Sequence, residues 1–425
     1  MSSDGKPLTG RGAASVFVAF AGAYFCSALL RAVTATLAPE FSRELGLGAA
    51  QLGLLAGAYF LGFAGMQLPL GAVLDKRGSK HVLVALLLLG VAACLAFAMA
   101  RSLWQMSVLR LLIGVAMSAC LMAPLTLFRH RFSASLQLRA NSWMLMTGSL
   151  GMLASTLPVQ YLLPALGWRG LFVAIAGLLL LSVALVQVLV PMDAGSKGAG
   201  AGLGGSSSTR LDAAAVGRAE PGYADVFRMP LFRRLAPAAF FSYGGMIAMQ
   251  SLWIGPWLTQ VGQRSPQGAA AGLFLVNACM LVAFFCWGLA VPRLLRSGWH
   301  AEKVMAWAWW PGLLCLLFIV WRGSAAGPVE WAAWCVMTSV VSLSQPAVAQ
   351  AASPALAGRA LSAFNLVIFL GVFVIQWGLG LLIDALGNAG WPLAQAYRAA
   401  FTAYGLCCLA SFLWMHQRGV AHARQ

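Results

Sequence analysis

Charge is what this chain has least of. Only 9% of its 425 residues are charged, and only eleven of them are acidic. Ordinary soluble domains carry about 25% charged residues, so a water-soluble core is excluded as the main account of the chain. None of the acids lies in the middle of an apolar run, and His81, His130, His300, His416 and His422 fall in connectors or tails. A proton relay within a membrane usually relies on buried carboxylates or histidines. Strong proton coupling therefore has no visible carrier. All nine cysteines sit inside apolar stretches without the paired spacing of a zinc or redox site, and they read as small packing residues. No metal and no cofactor are expected. A phosphate-binding glycine loop is missing, which argues against ATP hydrolysis within the chain. No His/Asp/Glu cluster with ligand spacing occurs and no Ser/His/Asp set falls at one depth, so a membrane-embedded enzyme is the weakest reading.

What is abundant is apolar sequence, 60% of the chain. A membrane crossing takes roughly 20 apolar residues. The apolar runs predict spans near 14–37, 50–73, 82–100, 103–126, 142–164, 170–191, 236–258, 270–291, 303–321, 329–350, 361–383 and 398–415. The fold class expected is an all-α membrane protein of twelve transmembrane helices in a lipid bilayer. The formal charge of +17 does not indicate a nucleic-acid partner, because the basic residues are scattered between apolar runs. With the N-terminus inside, 20 of the 28 Lys and Arg fall on the inner side, six on the outer side, and Arg31 and Arg110 within spans. Positively charged loops stay cytoplasmic, so both termini are expected there, in a bacterial inner membrane. Trp104, Trp168, Trp257, Trp331 and Trp391 fall near outer span ends and read as interfacial anchors.

The longest polar interruption, 193–234, opens with a Gly/Ser-rich stretch from Ala194 to Thr209, the composition of a flexible linker. Its second part, Pro221 to Arg234, predicts a short helix on the inner membrane surface. The interruption divides the chain into a six-helix bundle at 1–192 and another at 235–425. A repeat supports the division: at an offset of 220 residues, Arg139-Ala140 matches Arg359-Ala360, Leu150-Gly151 matches Leu370-Gly371, and Ala165-Leu166-Gly167 matches Ala385-Leu386-Gly387. Two similar halves related by an axis along the membrane normal are a transporter plan with the substrate site between them.

The connector after the second span reads Gly71-Ala-Val-Leu-Asp75-Lys76-Arg77-Gly78-Ser-Lys80. It resembles the signature loop of the major facilitator superfamily, as do Arg110-x-x-x-Gly114 in the fourth span and Trp168-Arg169 before the sixth. The resemblance covers nearly the whole chain and implies two pseudo-symmetric six-helix bundles moving a solute by alternating access. It gives Gly71, Asp75, Arg77, Gly78 and Lys80 a gating role, with Asp75 latching the halves together on the cytoplasmic side, and leaves Arg110 either in an internal polar network or beside Arg31 at the substrate's anionic group. The matching loop after the eighth span carries Pro292 where an acid would stand, so it reads as a basic connector. The Gly-Pro pair typical of many drug/proton antiporters is missing from the fifth span.

Arg31 is the most informative residue. A charge within a span costs on the order of 2.5–3.5 kcal/mol, so it normally faces a partner or a wet cavity. Its distance from Pro39 resembles the organic-anion and organophosphate branches of the superfamily, where the arginine meets the substrate's anionic group. The bland alternatives are a pair with Glu40 or Glu44, or snorkelling to the outer surface. Other polar residues inside spans are candidates to line the cavity: Tyr24, Tyr59 and Gln67 in the first half, and Gln250, Trp253, Asn277, Gln345, Asn365 and Gln376 in the second. Taken singly, such residues are more often helix-to-helix glue. Gly53, Gly57, Gly62 and Gly65 read as close packing. The expectation is a monomeric secondary transporter of a small organic anion. Its rivals are an exporter of drugs, a siderophore or another amphipathic metabolite, and a non-transporting membrane sensor or scaffold.

Overall fold

The protein is described by a computed structural model at residue 8 and over 10–191, 222–297, 301–353 and 356–422. The Gly/Ser-rich stretch and most of the linker lie outside the described residues. No strand occurs among those described. Hydrocarbon offers no hydrogen bonds to the backbone, so a chain this apolar must satisfy its amides internally.

Among the described residues, nine helices are long and apolar enough to cross a membrane, and a bent pair makes a tenth. Twelve rods follow in chain order. Span 1 is Gly10–Leu45, span 2 is Ala49–Gly65 with Gln67–Arg77, span 3 is Ser79–Met99 and span 4 is Leu103–Arg129. Span 5 covers 134–166 and span 6 covers 168–189, since the helix Leu157–Leu189 kinks at Gly167, whose φ of 63° favours glycine. Span 7 covers 230–261. Spans 8 to 12 are Pro266–Arg296, Ala301–Arg322, Pro328–Ala351, Ala357–Asn388 and Leu393–His422. Because the spans alternate in direction, the start of span 1 and the end of span 12 lie at one end, called the termini end, opposite the far end.

Several elements depart from the expected straight runs. Span 1 continues through Pro39 to Leu45. Proline frees the carbonyl four residues back, here Ala35, and Gly255 of span 7 presses against that oxygen so closely that a Cβ would sit 2.6 Å from it. Span 2 bends by 43° just before Pro69, a usual cause of kinks. Span 7 is interrupted by π-helical turns at Ala239–Tyr243, Met249–Trp253 and Trp257–Val261. The short helix expected in the linker is Tyr223–Arg228, and the Tyr223 hydroxyl donates to the Leu68 carbonyl of span 2 at 3.1 Å.

Three of the expected interfacial tryptophans are not anchors. Trp168, Trp257 and Trp331 are buried, while Trp104 and Trp391 are exposed. Trp257 lies 5.6 Å from Trp331 and stacks on Phe401 at 5.1 Å, joining spans 7, 10 and 12. Aromatic burial of this kind outweighs a headgroup position because each ring buries 150–250 Å².

The 220-residue offset has a counterpart in the packing. A Cβ on Gly151 of span 5 would stand 2.4 Å from the Phe25 carbonyl of span 1, and one on Gly371 of span 11 would stand 2.4 Å from the Phe240 carbonyl of span 7. Within the first half, a Cβ on Gly62 would lie 2.1 Å from the Leu111 carbonyl, and one on Gly114 would lie 1.9 Å from the Tyr59 carbonyl. Small residues of this kind let membrane helices approach backbone to backbone. Gly65 has nothing within 4 Å and takes no part.

Gly114→Ala is expected to destabilise the detergent-solubilised protein by about 1–3 kcal/mol, the usual cost of overpacking. Gly177→Ala, in open space on span 6, should not destabilise it. Thermal unfolding of the two variants side by side checks this, and equal losses would refute the backbone contact.

Candidate functional site

Arg31 stands in the middle of span 1 and is half-buried. Glu40 pairs with Arg43, and Glu44 pairs with Arg169 while accepting from the Trp168 indole. Neither of the expected acidic partners is therefore engaged with Arg31, and no described carboxylate pairs with it. Its guanidinium interacts instead with Tyr24 and Tyr59 and lies over the Phe63 ring at 5.6 Å from the centroid. Tyr243 of span 7, at the end of a π turn, lies within reach of the Arg31 charge and of Tyr24. The Nε of Arg31 is buried without a hydrogen-bond partner. A mid-membrane cation lacking a counter-charge is a functional-site signature.

Arg110 also has a buried Nε without a partner but differs at its terminal nitrogens. It is buried, and its terminal nitrogens donate to the Leu30 carbonyl at 2.9 Å and the Thr34 hydroxyl at 2.7 Å. Its guanidinium also lies 5.2 Å from the Tyr59 ring centroid. Arg110 ties span 4 to span 1, and a single cation–π contact in such a desolvated place contributes up to about 2 kcal/mol.

The two halves meet tightly between this cluster and the far end. A Cβ on Gly53 would stand 2.2 Å from the Gln376 carbonyl, one on Gly57 would lie 2.9 Å from the Phe373 ring, and one on Gly380 would lie 2.3 Å from the Ala49 carbonyl. At the far end, the Asp384 carboxylate of span 11 accepts from the Ala49 and Ala50 amides at 3.0 and 2.8 Å. These amides open span 2, where an anion also offsets the helix dipole. A cavity of about 380 Å³ lined by Pro39, Arg43, Pro256 and Gln260 lies at this end, between spans 1 and 7. It is a vestibule, distinct from the polar cluster around Arg31.

The remaining candidates fall into separate groups. Tyr24 lies on Gly148 of span 5, and Tyr59 is fully buried and donates to the Ser27 carbonyl at 3.2 Å. Gln67 donates to the Phe63 carbonyl at 3.3 Å. Gln250 donates to Asn277 at 2.8 Å, linking spans 7 and 8. Gln376 donates to Ser251 at 2.9 Å, linking spans 11 and 7. Trp253 is fully buried, with its ring 6.0 Å from that of Tyr397. The structure does not bring these four to an open surface. Gln345 donates to Asn365, and both stay half-exposed, one turn of span 11 from Phe369.

Of the expected gating residues, Lys80 is buried and donates to the Gln187 and Val190 carbonyls at 2.8 and 2.7 Å, capping the end of span 6 in its own half. Gly78 has a φ of 78° and ends the second span's helix. Gly71 has open space beside it and Arg77 is exposed. The Asp75 side chain lies outside the described residues.

Sequence reasoning missed Tyr243, Phe63, Phe369 and Asp384. The first three are ordinary members of aromatic-rich spans and carry no pattern. Asp384 had a signal, as the one acid near the far end of span 11, but nothing in the sequence indicated the amides it meets.

A family profile described as Major Facilitator Superfamily matches residues 20–376. The chain is 32% identical over 165 residues to a 4-hydroxybenzoate transporter of Pseudomonas putida, covering 39% of this chain and 37% of that one. It is 28% identical over 152 residues to a probable sulfoacetate transporter of Cupriavidus necator, covering 36% of this chain and 35% of that one. The matched region thus spans about a third of the length of these relatives. Among solved structures, a bacterial homolog of the human lysosomal transporter Spinster, inward-facing and unoccupied, superposes with a TM-score of 0.73 at 16% identity, over 97% of this chain and 98% of that one.

Asp384→Ala is expected to speed hydrogen–deuterium exchange of the Ala49 and Ala50 amides by roughly 10- to 100-fold, since a hydrogen bond to a charged group contributes about 1.5–3 kcal/mol. Asp384→Asn, which keeps one acceptor oxygen, should fall between. Mass-spectrometric exchange rates that match wild type in both variants would rule out the seal.

Proposed function

The chain belongs to the Major Facilitator Superfamily, and from that premise we propose that it is a secondary transporter carrying a small organic anion by alternating access. The observation that carries this is Arg31: a cation at mid-membrane, free of acidic partners among the described residues, facing tyrosines of both halves. The two relatives are named for 4-hydroxybenzoate and sulfoacetate, and each compound is an organic anion.

The substrate enters between the halves, 1–192 and 235–425, which the 193–234 segment joins. Arg31 binds its anionic group, with Tyr24 and Tyr59 holding the guanidinium. Gln345 and Asn365 line the second-half wall, while Gln67, Gln250, Trp253, Asn277 and Gln376 act through the helix contacts that shape it. Rocking closes the termini end, where Gly71, Asp75, Arg77 and Gly78 form the gate; Lys80 and Arg110 keep the first half rigid. Both halves of the site come from one chain, so a monomer suffices.

The skew of Lys and Arg supports a bacterial cytoplasmic membrane with both termini in the cytoplasm, which makes the far-end seal periplasmic. The described acids Glu40, Glu44, Asp225, Glu330 and Asp384 are all engaged at span ends or connectors. Anion exchange or facilitated diffusion therefore fits better than proton coupling.

Reconstituted protein should exchange 4-hydroxybenzoate or another small organic anion across proteoliposomes. Arg31→Ala should lower that exchange by at least about tenfold, given the ~1.5–3 kcal/mol of a charged hydrogen bond, and Arg31→Lys should restore part of it. Counterflow by Arg31→Ala at the wild-type rate would sink the proposal.

A further inference from the structure

We propose that the substrate carries a single negative charge, a carboxylate, attached to a flat aromatic ring. This rests on the anion-transport reading and narrows it.

The charge limit comes from counting cations. Every Lys and Arg of the second half falls at or beyond a span end. In the first half only Arg31 and Arg110 lie away from the span ends, the rest falling within about a turn and a half of one, and both terminal nitrogens of Arg110 are committed to Leu30 and Thr34. One guanidinium, that of Arg31, is therefore left for the substrate, although the Nε of each arginine is buried without a partner. A second negative charge on the substrate would enter the membrane without compensation, which is unfavourable unless it is paired.

The ring comes from the walls. Arg31 lies over Phe63, and Phe63 meets Phe369 of span 11 across the boundary between the halves, with centroids 4.6 Å apart at 63°. Phe369 also stacks near Phe60 at 6.3 Å. Tyr243 stands on the second-half side of the guanidinium. A carboxylate held by Arg31 thus projects the body of its molecule along an aromatic step made by both halves. Offset and edge-on contacts favour a planar ring there over a puckered one. The two relatives are named for cargoes of different kinds: 4-hydroxybenzoate has one ionised group on a ring, whereas sulfoacetate has two ionised groups and no ring. A single guanidinium beside an aromatic step suits the first better than the second.

The test titrates the purified full chain separately with benzoate, cyclohexanecarboxylate, terephthalate and sulfoacetate, reading apparent affinity by thermal stabilisation. Benzoate is expected to bind about tenfold more tightly than each of the others, the upper end of what an aromatic pair contributes. Phe369→Leu should bring the benzoate and cyclohexanecarboxylate affinities together. The wild-type ranking stands by itself if that variant folds poorly. Equal or tighter binding of terephthalate, sulfoacetate or cyclohexanecarboxylate, abolished in Arg31→Ala, would overturn the aromatic monoanion and leave anion transport intact. Anion binding that survives in Arg31→Ala, or no anion binding at all, would overturn both.

Discussion

A peptide group exposed to hydrocarbon has nothing to bond to, and the architecture follows from meeting that demand wherever a helix breaks. Pro39 frees the Ala35 carbonyl, and Gly255 of the other half packs against it and shields it from lipid. Pro237 frees the Arg233 carbonyl, which accepts from the Trp414 indole of span 12 at 3.3 Å. Inside span 5, where the helix Ala134–Ala154 gives way to the one that opens at Leu157, the Ser155 carbonyl accepts from Thr36 of span 1 at 2.7 Å. The opening amides of span 2 go to Asp384, and the closing carbonyls of span 6 go to Lys80. Each of these breaks is tied to another span, and two of the ties, at Gly255 and Asp384, join the halves.

The same accounting separates the two intramembrane arginines. Arg110 is consumed by span 1, so its charge holds the first half together. Arg31 has tyrosine hydroxyls and a ring face but no carboxylate. Two cations of identical chemistry thus end in different roles, because one meets a carbonyl and a hydroxyl on a neighbouring span while the other stands where the halves part.

Much of the fold was legible in the sequence, since crossing a bilayer leaves so strong an apolar signature. The gap between the runs 142–164 and 170–191, the short helix near Tyr223 and the repeat linking Gly151 to Gly371 all have counterparts in the structure. The tryptophans show where such reading fails. Position near a span end suggests an interfacial ring, but Trp257 and Trp331 are drawn inward by Phe401 and by each other, and long-range packing of that kind leaves no local pattern. Arg31 stood out because a charge in an apolar run is costly. Phe63, Phe369 and Tyr243 did not, because an aromatic residue in an apolar run is ordinary. The extension of span 1 past Pro39 also depended on a partner more than two hundred residues away.

Gly53, Gly255 and Gly380 hold the halves at distances where even a methyl group has no room, whereas the residues around Arg31 are side chains meeting side chains. Room for substitution is therefore partitioned: a side chain in the aromatic cluster can change size by repacking its neighbours, whereas any side chain added at these three glycines must push one helix backbone away from another.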